Sequence, residues 1–175
     1  ARFVDRNTVL LLDIDEEEAK TIESARITKE RCDMAYEVLK NETDAEGNPI
    51  KIIRIPAPIP EYITTTPEDW TNRTWGKRFA DNEEALLDDG TPMPEGEIIM
   101  QPAMSYINYL VCNKVVIAQC YWKEGKSEAI RKRDEEAMAA LQKAYPDRKI
   151  IPIYSMALNI RGGGIHCATK NIQKF

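Results

Sequence analysis

Val115-Val116-Ile117-Ala118 is a short apolar run, and Lys149-Ile150-Ile151-Pro152-Ile153-Tyr154 is a second one. The residues between them decide how the chain folds. Ser127 is a good N-cap, and from there Ile130, Ala137, Met138, Leu141 and Tyr145 fall at offsets 0, 7, 8, 11 and 15, one face of a helix. Pro146 stops that helix. The stretch therefore reads as strand, helix, strand, with Pro152 marking an edge position or a bulge.

The same order occurs upstream. Thr8-Val9-Leu10-Leu11-Leu12 has strand length, and a helix is expected near residues 27–40. Ile27, Met34, Ala35, Val38 and Leu39 lie there at offsets 0, 7, 8, 11 and 12. A turn through Glu46-Gly47-Asn48-Pro49 leads to the strand Ile50-Lys51-Ile52-Ile53-Arg54-Ile55. A repeated α/β unit buries its apolar face against its neighbours. A doubly wound sheet shows this pattern, and so does part of a larger array of such units.

Between the two copies, residues 56–96 are rich in Pro, Thr, Asp and Glu and contain Trp70 and Trp75. This segment reads as a long loop or insertion. It is either a surface elaboration packing its tryptophans on the domain, or a lid or oligomer contact. The acidic run Glu16-Glu17-Glu18 and the charged cluster from Arg131 to Glu136 read as solvated faces.

With 175 residues the chain fits one domain or a large part of one. Its 43% hydrophobic and 30% charged residues are ordinary for a globular protein. A net charge of −5 argues against nucleic-acid binding, and no apolar stretch is long enough to span a bilayer. Cys32, Cys112, Cys120 and Cys167 form no CxxC pair and no compact disulfide scaffold, so a cytoplasmic setting is the simplest expectation. One histidine and scattered cysteines leave no closed zinc-ligand set, and no metal is expected.

Arg161-Gly162-Gly163-Gly164-Ile165-His166-Cys167-Ala168-Thr169-Lys170 carries the most chemistry. Consecutive glycines let the backbone come close to another group. A thiol three residues after them is placed as a nucleophile would be. A glycine turn followed by a buried, inert cysteine fits the same residues. Too few residues follow Gly164 for a dinucleotide fold's helix and acidic residue. His166 and Cys167 point to opposite faces if the backbone is extended, so His166 is expected in a supporting or core role. Asn108 either faces the site or satisfies a neighbouring turn.

Gly162-Gly163-Gly164-Ile165-His166-Cys167-Ala168-Thr169 resembles the nucleophile motif of the agmatine deiminase and Porphyromonas-type peptidylarginine deiminase family. Ala1-Arg2-Phe3-Val4-Asp5 resembles the family segment that follows its His-x-Asp motif. Ser105-Tyr106-Ile107-Asn108-Tyr109 resembles a family strand, and Asn41 to Pro49 and Tyr145-Pro146-Asp147-Arg148 resemble its turns. The likeness is weakest over residues 61–96, and Lys170-Asn171 stands where the family has Gln-Gln.

The resemblance implies part of a pentein fold built from ββαβ units, with residues 1–175 a single catalytic-domain fragment. It implies hydrolysis of a guanidine through a covalent cysteine intermediate. The expected substrate is agmatine, giving N-carbamoylputrescine and ammonia in putrescine biosynthesis. Peptidyl arginine is the alternative substrate, and a non-catalytic scaffold is the alternative class. Cys167 would be the nucleophile, Gly163 and Gly164 would position backbone or substrate, and His166 and Asn108 would support them. No cofactor is implied. The guanidinium-holding carboxylates and the His-x-Asp pair lie upstream of Ala-Arg-Phe in the family. The missing amino-terminal half of the enzyme is therefore an expected partner, a homo-oligomer is compatible, and the fragment alone is expected to be inactive.

Overall fold

The computed structural model describes residues 1–74, 91 and 96–172. Two units of the same topology make up most of it. In the first, β1 (Arg2–Phe3) pairs antiparallel with β2 (Thr8–Asp13). The chain crosses over through α1 (Glu16–Thr21) and α2 (Glu23–Leu39), and β3 (Lys51–Pro56) returns parallel to β2, with Thr8 opposite Lys51. Between the units, β4 (Ile63–Thr65) pairs antiparallel with β5 (Ile98–Met100). The second unit repeats the plan. There β6 (Leu110–Val111) is antiparallel to β7 (Val115–Cys120), and β8 (Lys149–Tyr154) is parallel to β7 after α3 (Glu128–Ala144). A short α4 (Met156–Ile160) follows. Each unit is thus ββαβ, as the resemblance implies.

Local chemistry explains the boundaries. Ser127 Oγ accepts from the Ala129 N–H and starts α3, and Pro146 follows its C-cap, Tyr145. Asp44 Oδ1 accepts from the backbone N–H groups of Glu46 and Asn48, while Gly47 takes φ 85°, which closes the turn before β3. Pro152 sits on the edge strand β8 with no break in register, so it is an edge proline and not a bulge.

The two units share one core, in which Leu10 and Ile55 of the first meet Val116, Tyr121, Ala137 and Leu141 of the second. Helix α3 packs over β3 as well as over its own β8. Ile55 is consequently fully buried, whereas Ile153, which occupies the same place in β8, is 45% exposed.

Several expectations change. Helix α2 begins at Glu23 and is rotated relative to the expected stripe. Ala25 is buried and Cys32 packs beside it, while Met34 and Val38 are exposed at 70% and 60%. The charged stretches are not uniformly solvated. Arg133 pairs with Glu18 at 2.6 Å, both largely covered, and also donates to the Ala57 carbonyl. Asp134 is buried and accepts from the Tyr106 hydroxyl at 2.6 Å and from the backbone N–H groups of Tyr121 and Trp122. The described residues of the 56–96 segment include buried side chains. Asn72 is buried and donates to the carbonyls of Thr65 and Gly96, and Trp70 is half-exposed with the Arg161 guanidinium 5.4 Å above its ring. Trp75 lies outside the described residues.

Candidate active site

Ser105 to Tyr109 is an irregular segment rather than the expected strand. Tyr106 and Tyr109 are buried and the other three residues partly so, and side chains rather than a strand ladder satisfy much of the backbone. The Ser105 N–H donates to the Tyr121 hydroxyl at 2.6 Å, and Gln119 Nε2 donates to the Ser105 carbonyl at 2.6 Å. Just before it, Asn159 Nδ2 donates to the Ala103 carbonyl at 2.9 Å. Asn108 leaves this segment toward the carboxy-terminal glycines.

Those glycines are needed for three separate reasons. After α4 the chain turns through Gly162, whose φ of 87° lies in the left-handed region that side chains with a Cβ rarely adopt. A Cβ on Gly163 would stand 3.2 Å from the Cβ of Cys167. A Cβ on Gly164 would collide with Asn108 Cγ at 2.6 Å and Gln119 Nε2 at 2.8 Å. The third glycine therefore lets the main chain lie directly against two amide side chains.

Residues 165–168 then form a tight turn, in which the Ala168 N–H donates to the Gly164 carbonyl at 3.0 Å. The backbone is not extended there, so strand alternation does not govern His166 and Cys167. His166 is exposed, which removes it from the core, and it meets Asn108 through its backbone N–H, not its ring. Cys167 is exposed and unpaired. Asn108 Nδ2 donates to its sulfur at 3.2 Å, while Asn108 Oδ1 accepts from the His166 N–H at 2.8 Å. One side chain thus spans the turn, from the His166 N–H to the Cys167 sulfur.

This setting favours the thiolate. The Asn108 hydrogen bond, followed by the Gly164 main chain, holds the Cys167 pKa below its ordinary value. Cys32 and Cys120 differ. Burial pushes Cys120 up to about 11 and raises Cys32.

Sequence reasoning missed the layer beneath. Gln119 and Asn159 are fully buried, and Ser155 nearly so. Asn159 Nδ2 donates to Gln119 Oε1 at 2.8 Å and to the Gly163 carbonyl at 2.9 Å, and Ser155 Oγ donates to Gln119 Oε1 at 2.8 Å. This cluster ties β7, α4 and the glycine run together. The available signals were the lone amide in the otherwise apolar β7 and the i, i+4 spacing of Ser155 and Asn159.

Two clefts among the described residues lie away from Cys167. One holds Asp13, Asp15 and Glu136, but Arg54 already pairs with Asp13 at 2.7 Å. Among the described residues, no group of three or more His, Cys, Asp or Glu side chains could hold a metal ion. No helix among them is long and apolar enough to cross a membrane.

Paired ββαβ units and a glycine-cradled, amide-held thiol define a mixed α/β protein of the pentein type. Residues 1–172 match the family model for Porphyromonas-type peptidyl-arginine deiminase, and the chain belongs to that family. It is 30% identical over 138 residues to a Yersinia pestis relative provisionally named an agmatine deiminase, and 30% identical over 140 residues to the agmatine deiminase of Pseudomonas putida. The latter match covers 80% of this chain and 32% of the relative. The solved agmatine deiminase of Enterococcus faecalis superposes with a TM-score of 0.56 at 23% identity, over 94% of this chain and 36% of that one. The C. jejuni agmatine deiminase gives 0.55 at 18%, over 99% and 38%. These structures share the fold. The chain spans about a third of the length of the relatives it matches.

Proposed function

We propose that Cys167 is the nucleophile of a guanidine hydrolase, with agmatine as substrate. The observation that carries this reading is the exposed thiol held by Asn108 with its pKa lowered. The thiolate attacks the guanidinium carbon, and protonation of one nitrogen releases ammonia. Water then cleaves the S-linked amidine, giving N-carbamoylputrescine and regenerating the thiol. The relatives named as agmatine deiminases support this substrate. The family description supports peptidyl arginine as the second reading, with citrulline as product.

Residues 1–175 form one portion of the catalytic domain in this proposal. A planar cation needs carboxylates matched to its N–H fork. The general acid and base needs an imidazole or carboxylate within reach. Other parts of the enzyme supply these groups, so the 175-residue chain alone is inactive. Gly163 and Gly164 position the main chain, and His166 contributes its backbone N–H.

The test is incubation of the full-length protein with agmatine, free arginine and an arginyl peptide, with ammonia and ureido product measured. Agmatine turnover that disappears in Cys167→Ala is the expected result. Turnover of the peptide alone selects the second reading. No product from any of the three leaves a non-catalytic member of the fold and overturns the proposal.

A further inference from the structure

Arg2, in β1 of the first unit, reaches into the second unit. Its Nη1 donates to the Ile107 carbonyl at 3.0 Å and to the Tyr109 carbonyl at 2.6 Å. Its guanidinium carbon lies 3.9 Å from the centroid of the Tyr109 ring. That ring is fixed, because Tyr109 is fully buried and its hydroxyl pairs with that of Tyr145 at 3.0 Å. The two carbonyls that Arg2 holds are the ones on either side of Asn108. Holding both sets the backbone from which the Asn108 side chain leaves. Because the segment is irregular, no strand ladder would replace those bonds.

We propose that Arg2 is a positioning residue for the nucleophile, aiming the Asn108 carboxamide at Cys167 and the His166 N–H by clamping the carbonyls of Ile107 and Tyr109. This rests on Cys167 being the nucleophile. Arg2 acts through Asn108 and not through space. The groups acting on the sulfur are the Asn108 amide and the backbone at Gly164 and Cys167, with no charged side chain of the described residues among them. The Arg2 charge instead faces the Tyr109 ring.

The test is the pH dependence of Cys167 alkylation by iodoacetamide in the full-length protein, followed by peptide mapping. Iodoacetamide reports the thiolate alone, so the result is independent of the substrate. Arg2→Met keeps the apolar stem over Tyr109 and removes the donors. It should move the alkylation midpoint to higher pH and slow the reaction at neutral pH by roughly 3- to 10-fold. Asn108→Ala should do the same, and Arg2→Met added to Asn108→Ala should change nothing further. If Arg2→Met unfolds the protein, Cys32, Cys112 and Cys120 are alkylated too, and Arg2→Gln carries the comparison. An unchanged midpoint in Arg2→Met, an unchanged midpoint in Asn108→Ala, or fully additive shifts would each overturn the clamp. The expected shifts in a protein that turns over no guanidine would overturn the proposed reaction and leave the clamp standing.

Discussion

The carboxamide of Asn108 grips the turn bearing Cys167 at two points, donating to the thiol sulfur at 3.2 Å and accepting from the His166 N–H at 2.8 Å. One side chain thereby fixes both where the sulfur sits and how readily it ionises. Asn108→Ala removes both contacts. The thiolate is then populated only at higher pH, so the acid limb of kcat/KM moves upward. Activity at neutral pH should fall by about 10- to 1,000-fold, as for loss of a preorganised donor. A pH–rate profile identical to wild type would rule out this role.

The glycines should differ in their tolerance of a methyl group. In Gly164→Ala the new Cβ would meet two amides already held in hydrogen bonds. Overpacking of that kind costs about 1–3 kcal/mol, and the displaced Asn108 should also lose its thiol contact. Gly163→Ala meets only the Cys167 side chain, its Cβ at 3.2 Å and its sulfur at 3.9 Å, and should be milder in stability. Denaturant unfolding of both variants checks the order, and equal losses would count against it.

Thiol chemistry should be selective. Cys167 is exposed with a lowered pKa, whereas burial raises Cys32 and pushes Cys120 to about 11. Lowering the pKa extends the thiolate downward in pH, while raising it removes the thiolate from the neutral range. A haloacetamidine at neutral pH should therefore label Cys167 first. Mass mapping that finds the label mainly on Cys32, Cys112 or Cys120 would refute the assignment.

Asp134 is the buried carboxylate on which the second unit turns. It receives the Tyr106 hydroxyl and the backbone of Tyr121 and Trp122. Asp134→Ala leaves those buried donors unmet and should destabilise the protein by about 3–5 kcal/mol, with Asp134→Asn closer to wild type. Thermal unfolding measures both, and a change below about 1 kcal/mol in the alanine variant would show that water replaces the carboxylate.

Legibility followed the range of the interactions. Helix α3 was readable because its cap, its stripe and its stop are consecutive in the chain and each acts locally. Helix α2 was misread because its covered side includes Cys32 rather than the more apolar Met34 and Val38, and packing partners far away in the chain set that choice. Strands β1 and β6 have two residues each, too few for any period to show.

The sequence by itself determined the repeated α/β unit, the turn chemistry and the glycine run before Cys167, since these depend on neighbours along the backbone. Only the tertiary structure decided that Asn108, 59 positions away, holds the thiol, and that Gln119 and Asn159 support it from below. It also decided that Gly164 must be glycine for want of space rather than for its backbone angle. The physical reason is that hydrogen bonds and steric exclusion act over a few ångströms of space, and folding alone brings those atoms within that range.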